Sequence, residues 1–192
     1  TDTFRLYDDL SWLWPAWGSV EEYRAESDLL AGLARRHAKL PVRTLLDVGC
    51  GGGKNLHHFA RHLEATGLDL SPTMLGLARA LNPGVELVQA DMRGFDLGKH
   101  FDAVYLNDAL PHLPSRNDLG RTFACAYHHT VPGGVTLAVA EFTRERFEPN
   151  ATSATPAVPG ACPPGIDVVF VENQYDPDPA DDTFENTILY LI

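Results

Sequence analysis

The stretch Leu45-Leu46-Asp47-Val48-Gly49-Cys50-Gly51-Gly52-Gly53 runs from an apolar segment into a cluster of glycines. Glycine lets the backbone adopt φ > 0 and lets a ligand lie against the main chain. A buried strand that hands such a turn to a helix places it at the carboxyl end of a sheet, where open α/β folds bind nucleotides. Asp69, in Gly67-Leu68-Asp69-Leu70-Ser71, comes 20 residues after Gly49 at the end of the next apolar run. A carboxylate there can accept hydrogen bonds from both hydroxyls of a ribose. A strand-end Asp can instead cap a helix, but Ser71 is better placed to do so, which leaves Asp69 for the ligand. Asp91, in Gln89-Ala90-Asp91-Met92, follows a third apolar run. It can accept from the exocyclic amine of an adenine while the next backbone N–H donates to a ring nitrogen; capping its own loop is the other role open to it. After a fourth run, Leu106-Asn107-Asp108-Ala109-Leu110-Pro111-His112 presents a carboxylate and an imidazole. His112 can take a proton near neutral pH, or serve as an ordinary hydrogen-bonded histidine.

Two other glycine motifs fail on single positions. The dinucleotide fingerprint Gly-x-Gly-x-x-Gly requires a third glycine where this chain has Lys54. The phosphate-binding loop requires its first glycine at Val48 and a hydroxyl at Asn55. His57–His58 and His128–His129 are adjacent pairs on helices and point in different directions, so neither suggests a metal site. The run Asp176 to Asp182 lacks the glycine and closing glutamate of a calcium loop and reads as a solvated turn. No metal is expected.

Short apolar runs alternate with helical stretches. Strands are expected at Thr44–Val48, Ala65–Asp69, Val85–Gln89, Phe101–Asn107 and Val135–Phe142. The helices are Glu21–Leu40, Asn55 to about His62, Ser71-Pro72 to Leu81, and Asn117 to about Thr130. Pro132-Gly133-Gly134 reads as a turn before the fifth strand. This alternation means a mostly parallel sheet with right-handed crossovers and helices on both faces, a three-layer α/β sandwich of Rossmann-like type. Phe4–Gly18, with Trp12, Trp14, Trp17 and Tyr7, is a lid, a packed helix or plain core. Pro149–Gly165 reads as irregular, and Ile166–Tyr175 with Thr183–Ile192 as an antiparallel hairpin at the C-terminal end.

In this order and spacing the motifs resemble those of the class I S-adenosylmethionine-dependent methyltransferases of small-molecule type. Leu45–Gly53 resembles the family's first motif, Gly67–Ser71 the second, Gln89–Met92 the third, Phe101–Tyr105 the fourth-strand motif and Val131–Val135 the turn before the fifth strand. The resemblance implies that Asp47 and the backbone of Gly49 and Gly51 hold the methionine part of S-adenosylmethionine, Asp69 the ribose, and Leu70, Asp91 and Met92 the adenine. Asn107 would lie beside the methionine group and the acceptor. Tyr7 and Tyr23 resemble tyrosines of an N-terminal segment that covers the cofactor. His112 and Asp108, facing the methyl group, are the candidate catalytic groups. The implied reaction is methyl transfer to a small molecule, N-methylation ahead of O-methylation. The alternatives are an NAD-dependent oxidoreductase and a non-catalytic S-adenosylmethionine-binding protein.

Residues 1–192 are expected to form one domain, with an N-terminal cap (1–40), a cofactor-binding core (41–148) and a Pro-rich segment with hairpin (149–192). The family core closes with a further helix and an antiparallel pair. This chain stops inside the apolar run Ile188–Ile192, as if truncated or unusual in its ending. Against 15 Lys and Arg stand 26 Asp and Glu, a net charge of −11 that repels phosphate backbones and speaks against nucleic acid. No apolar run reaches the roughly 18 residues of a membrane span, and the start carries no signal-peptide pattern. Cys50, Cys125 and Cys162 are too few and too scattered for a disulfide framework and suit a reducing cytoplasm. A small-molecule substrate and a monomer or homodimer are the expectation.

Overall fold

The computed structural model describes residues 5–140, 142–143, 145–181 and 183–192. The first four residues, Glu141 of the expected fifth strand, Arg144, and Asp182 of the acidic turn lie outside them.

Five parallel strands form the central sheet: β1 (Thr44–Val48), β2 (Glu64–Asp69), β3 (Glu86–Gln89), β4 (Phe101–Leu106) and β5 (Thr130–Ala138). Their order is β3-β2-β1-β4-β5, so the chain reverses direction across the sheet between β1 and β4. Alternate residues of a strand face opposite sides. Leu45, Ala103 and Tyr105 therefore pack with α1 (Arg24–His37) and α2 (Lys54–Phe59) on one face. Leu46, Val48, Val104 and Leu106 pack with Ala126 of α4 (Arg116–His128) on the other. The parity puts Asp47 on the Leu45 face, at the carboxyl end of the strand, where the reversal opens a crevice.

Two of the helices start where a serine side chain takes up an orphan N–H group. Ser71 accepts from Met74 N at 3.1 Å, and Pro72 opens α3 (Pro72–Leu81), as expected from the sequence. Ser115 does the same for α4 through Asp118 N. The first long helix is shorter than Glu21–Leu40. A 3-10 turn over Val20–Tyr23, held by a reciprocal Ser19–Glu22 capping box, precedes it. It ends at His37, because Lys39 N turns away to Gly133 O at 2.7 Å.

The fifth strand is displaced toward the N-terminus of its expected range. Thr130 already pairs with Phe101, and pairing resumes at Ala103↔Val135, so Pro132-Gly133-Gly134 forms a bulge inside the strand rather than a turn before it. Gly133 has φ +89, and a Cβ on Gly134 would sit 2.7 Å from Asp102 O, so both positions need glycine. The strand stops at Ala138 because its partner β4 stops at Leu106.

The C-terminal part is a three-stranded antiparallel sheet, β6 (Thr152–Pro156), β7 (Val169–Tyr175) and β8 (Glu185–Leu191). The hairpin is present, and the stretch expected to be irregular supplies its third strand. Val168 and Phe170 pack against Leu6, Leu13 and Ala16 of the N-terminal 3-10 helices Arg5–Tyr7 and Ser11–Ala16. Tyr7, Trp12 and Trp14 are thus in short 3-10 turns with Trp17 just after them; Trp17 packs on Phe170 of this sheet and Trp14 lies against the glycine loop. Among the described residues no helix is long and apolar enough to cross a membrane.

Candidate cofactor site

The glycine loop is shaped by contacts that exclude side chains. Gly49, Gly51 and Gly53 have φ of +77, +52 and +79. A Cβ on Gly49 would meet Ala109 Cβ at 2.5 Å, and one on Gly52 would meet Trp14 Nε1 at 2.2 Å. Gly49 N and Cys50 N donate to Leu68 O, and Gly51 N donates to Asp69 Oδ2 at 2.8 Å. Ser71 N donates to Asp69 Oδ1 at 2.8 Å. These backbone bonds fix the Asp69 carboxylate at the edge of the crevice. Burial raises its pKa despite them.

The crevice is a cleft of about 790 Å³. Tyr7, Tyr23, Asp47, Gly49, Gly51 and Asp69 line it, and so do Leu70, Asp91, Met92, Asn107, Asp108 and His112. At one end Asp47 is 3% exposed, and its carboxyl is pushed up to about 8, first by burial and then by the charges of Asp69, Asp108 and Glu26. Asn107, 6% exposed, directs Nδ2 to Glu26 Oε2 at 3.4 Å and to Asp108 Oδ2 at 3.3 Å. Among the described residues its Oδ1 has no partner. This end therefore presents a protonated carboxyl and an orphaned acceptor. Both suit a ligand that brings N–H donors and positive charge.

At the other end Leu70 is 61% exposed, an apolar surface suited to a flat ring. Asp91 borders the same end, but its carboxylate is engaged by its own loop. Arg93 N and Nε donate to Oδ1 at 2.9 Å each, and Nη2 donates to Oδ2 at 2.6 Å. The Arg93 hydrogen bonds hold its pKa below the usual carboxylate range. Of the two roles open to Asp91, loop capping is present in the structure, and reading a base would have to share the carboxylate with Arg93.

Over the mouth, Tyr7 OH lies 3.1 Å from His112 Nε2, with the rings edge to face at 5.3 Å. Which atom donates depends on the histidine tautomer. His112 opens onto the cleft, yet the surrounding protein disfavours its charged form and lowers its pKa, against the smaller pull of Asp69. Tyr7 is shifted well up by burial and the nearby carboxylates and stays a phenol. Asp108, held at φ +44, has its carboxyl raised by desolvation and by Glu26. The two candidate proton acceptors therefore stand on one loop, with a neutral imidazole and a carboxylate of raised pKa.

Sequence reasoning missed the residues that hold the N-terminal cap over this cleft. Lys54, 5% exposed, donates from Nζ to Trp14 O, Trp17 O and Gly18 O at 3.0, 2.6 and 2.7 Å. Burial, opposed by Glu22, brings its pKa down to about 8. Its neighbour Asn55 donates to Glu26 Oε2 at 3.0 Å, and His58 Nε2 donates to Val20 O at 2.7 Å. In the sequence Lys54 stands out only as a departure from a dinucleotide motif. A charged residue directly after three glycines, at the opening of a helix, is the available signal. His57 bonds Asn82 and His129 bonds the Cys125 carbonyl, so both histidine pairs hold structure.

The sequence pattern described as "Methyltransferase domain" matches residues 45–134. The chain is 36% identical over 139 residues to a dTDP-3-amino-3,6-dideoxy-alpha-D-glucopyranose N,N-dimethyltransferase of Streptomyces fradiae, covering 71% of this chain and 54% of that protein. The crystal structure of Streptomyces venezuelae DesVI superposes with a TM-score of 0.75 at 29% identity, over 95% of this chain and 80% of that one. CalS10 from Micromonospora echinaspora, an amino pentose methyltransferase solved with S-adenosylmethionine bound, superposes with a TM-score of 0.72 at 30% identity, over 88% and 75% of the two chains.

The chain belongs to the S-adenosylmethionine-dependent methyltransferases.

It spans little more than half the length of the curated relatives it matches. The cleft fits the family's cofactor on its own chemistry. The glycine cradle has room for a ligand and none for a Cβ, Asp47 and Asn107 await N–H donors at the end suited to an amino acid, and Leu70 offers an apolar surface at the end suited to a base.

Proposed function

We propose that this methyltransferase moves a methyl group from S-adenosylmethionine to the amine of a small molecule, with an amino sugar as the substrate class. The observation that carries the reading is the mouth of the cleft, where His112, joined to Tyr7 and shifted toward its neutral form, shares the lining with the acidic group Asp108. The negative charge draws in a cationic amine, and an imidazole of lowered pKa is ready to receive the proton that the amine must lose. The relatives named as amino-sugar N,N-dimethyltransferases support the same class.

S-adenosylmethionine supplies, when bound, a methyl group on a positively charged sulfur that leaves as a neutral thioether. The protein's own task is then binding, orientation and exclusion of water. In this reading Asp47 and the backbone of Gly49 and Gly51 hold the methionine end and Asn107 lies beside it. Asp69 takes the ribose, and Leu70, Asp91 and Met92 take the adenine. Tyr7 and Tyr23 cover the site. His112, or Asp108 in its place, receives the proton from the acceptor nitrogen. We place the protein in the cytoplasm, where its three unpaired cysteines suit the redox state, acting as a monomer or homodimer.

The test is incubation of the purified chain with S-adenosylmethionine and a dTDP-linked amino sugar, followed by mass spectrometry. The expected product carries one or two methyl groups on nitrogen, with S-adenosylhomocysteine formed in step. Methylation confined to hydroxyl or carboxyl acceptors overturns the amine reading. Binding of S-adenosylhomocysteine without transfer to any acceptor would favour a cofactor-binding protein without catalysis.

A further inference from the structure

The loop after β4 carries two groups able to take a proton, and their surroundings differ. His112 Nε2 is already engaged by Tyr7 OH at 3.1 Å. The Asp108 carboxylate lines the cleft, and among the described residues its hydrogen-bond partner is Asn107 Nδ2, 3.3 Å from Oδ2. Its backbone is left-handed, φ +44, a conformation that Asp tolerates better than most residues.

Asn107 is itself oriented by a residue that does not line the cleft. Glu26 stands in the first turn of α1, where the helix N-terminus favours a negative charge. Its Oε2 accepts from Asn55 Nδ2 of α2 at 3.0 Å and from Asn107 Nδ2 at 3.4 Å. One amide N–H₂ group is thus shared by two carboxylates, Glu26 and Asp108. An amide turned the other way would set its oxygen against both, so the two acceptors dictate which end of Asn107 faces them. The titratable groups around Asp108 are Glu26 of α1, Asp47 of β1, Tyr105 of β4, Tyr7 of the cap and His112 of its own loop. Among the described residues no cation pairs with it. Burial first, and the Glu26 charge second, raise its pKa. An ordinary carboxylate is a weak base toward an ammonium, and a raised one is better matched to it.

We propose that Glu26 is a positioning residue for proton removal: through the Asn107 amide that both carboxylates share, it holds Asp108 in the cleft wall as the group that takes the proton of the acceptor amine. The role rests on the reaction being amine methylation. The acceptor ammonium gives one N–H proton to the Asp108 carboxylate. The lone pair so freed forms the new N–C bond as the C–S bond of the sulfonium breaks, and its electron pair stays on sulfur. The positive charge ends on the methylated nitrogen, and the proton stays on Asp108 until it passes to solvent. Glu26 touches none of the reacting atoms and acts through Asn107 and through its charge.

The test is the pH dependence of kcat/KM for a dTDP-linked amino sugar, with S-adenosylmethionine saturating at every pH so that the proton of Asp47 does not enter. Glu26→Gln keeps an oxygen for Asn55 and Asn107 and removes the charge. Its acidic limb should move to lower pH, and its rate at pH 6 relative to pH 8 should rise about threefold or more over that of the unaltered chain. A merely structural role would lower the rate and leave the limb in place. An unmoved limb, or one displaced to higher pH, overturns the proposal. Asp108→Asn, which suits the left-handed backbone, should lower kcat about a hundredfold or more, and adding Glu26→Gln to it should not change the profile further. A Glu26→Gln shift that persists without Asp108 means action through another group and overturns the proposal. Should Glu26→Gln melt too low to assay, Asp108→Asn alone decides: it should abolish the acidic limb, and an unchanged limb overturns the proposal. If the unaltered chain puts no methyl group on the amine, the amine reading falls and this proposal with it, whereas amine methylation with a limb that ignores Glu26→Gln overturns this proposal alone.

Discussion

In the proposed reading of the cleft, Asp47 ties cofactor binding to a countable proton. Its carboxyl lies on the inner face of β1, 3% exposed and pushed up to about 8, chiefly by burial and further by Asp69, Asp108 and Glu26. A group with that pKa is roughly nine-tenths protonated at pH 7. An ammonium seated against it favours the carboxylate, so ligand binding must expel the proton. Linkage then predicts release of about 0.9 proton per S-adenosylhomocysteine bound at pH 7 and about 0.5 at pH 8, with affinity rising nearly tenfold from pH 6 to pH 7. The sign for folding runs the other way. The folded pKa lies above the unfolded value, so protonated Asp47 supports the ligand-free fold at low pH, and that support is lost as pH rises through about 8. Titration calorimetry at pH 7 in buffers of different ionisation enthalpy counts the protons. Asp47→Asn, nearly equal in volume, should release almost none, and its affinity should no longer climb from pH 6 to pH 7. 5′-methylthioadenosine, lacking the ammonium, should release almost none from the unaltered chain. A release below about 0.2 proton at pH 7, or an equal release from Asp47→Asn, would refute the reasoning.

Gly49→Ala combines a left-handed backbone, φ +77, with a Cβ 2.5 Å from Ala109 Cβ, an atom fixed to its own backbone. The two costs sum to about 2–4 kcal/mol, or roughly 4–16 °C in melting temperature, read by a thermal scan; a loss below about 1 kcal/mol would mean the loop relaxes freely. Ser71→Ala removes both the acceptor for Met74 N and the donor, at 2.6 Å, to Tyr7 O. It should cost about 1–2 kcal/mol in denaturant titration, and an unchanged midpoint would discount both bonds.

The sheet was legible because short apolar stretches such as Leu45-Leu46 and Ala103–Leu106 mark its inner strands and turn or capping residues separate them from the helices. Ser71-Pro72 is the clearest case, since hydroxyl and ring together specify the first turn of α3. The errors fall where a partner elsewhere in the chain decides. Thr130–Gly134 belongs to β5 because Phe101 and Ala103 pair on either side of the bulge, and nothing local to Pro132-Gly133-Gly134 distinguishes a bulge from a turn. β6, five exposed residues with the sequence Thr-Ser-Ala-Thr-Pro, has no apolar alternation at all; it is a strand because β7 offers an edge beside it.

The same distinction separates the site residues that could be read from those that could not. Asp47, Asp69 and the glycines sit at strand ends, where the order of runs dictates the place of a side chain. Lys54 and Glu26 acquire their roles only when the cap folds back. α2 sends Lys54, Asn55 and His58 to Trp14, Glu26 and Val20, so the short helix after the glycine loop faces the cap with polar side chains where a dinucleotide fold would use a glycine for close packing. A third glycine lets helix and strand pack closely in a dinucleotide fold, whereas the lysine here draws the Trp14, Trp17 and Gly18 carbonyls of the cap over the helix start. The departure at position 54 is therefore a positive feature of this fold: it fastens the N-terminal cap to the helix that follows the glycine loop.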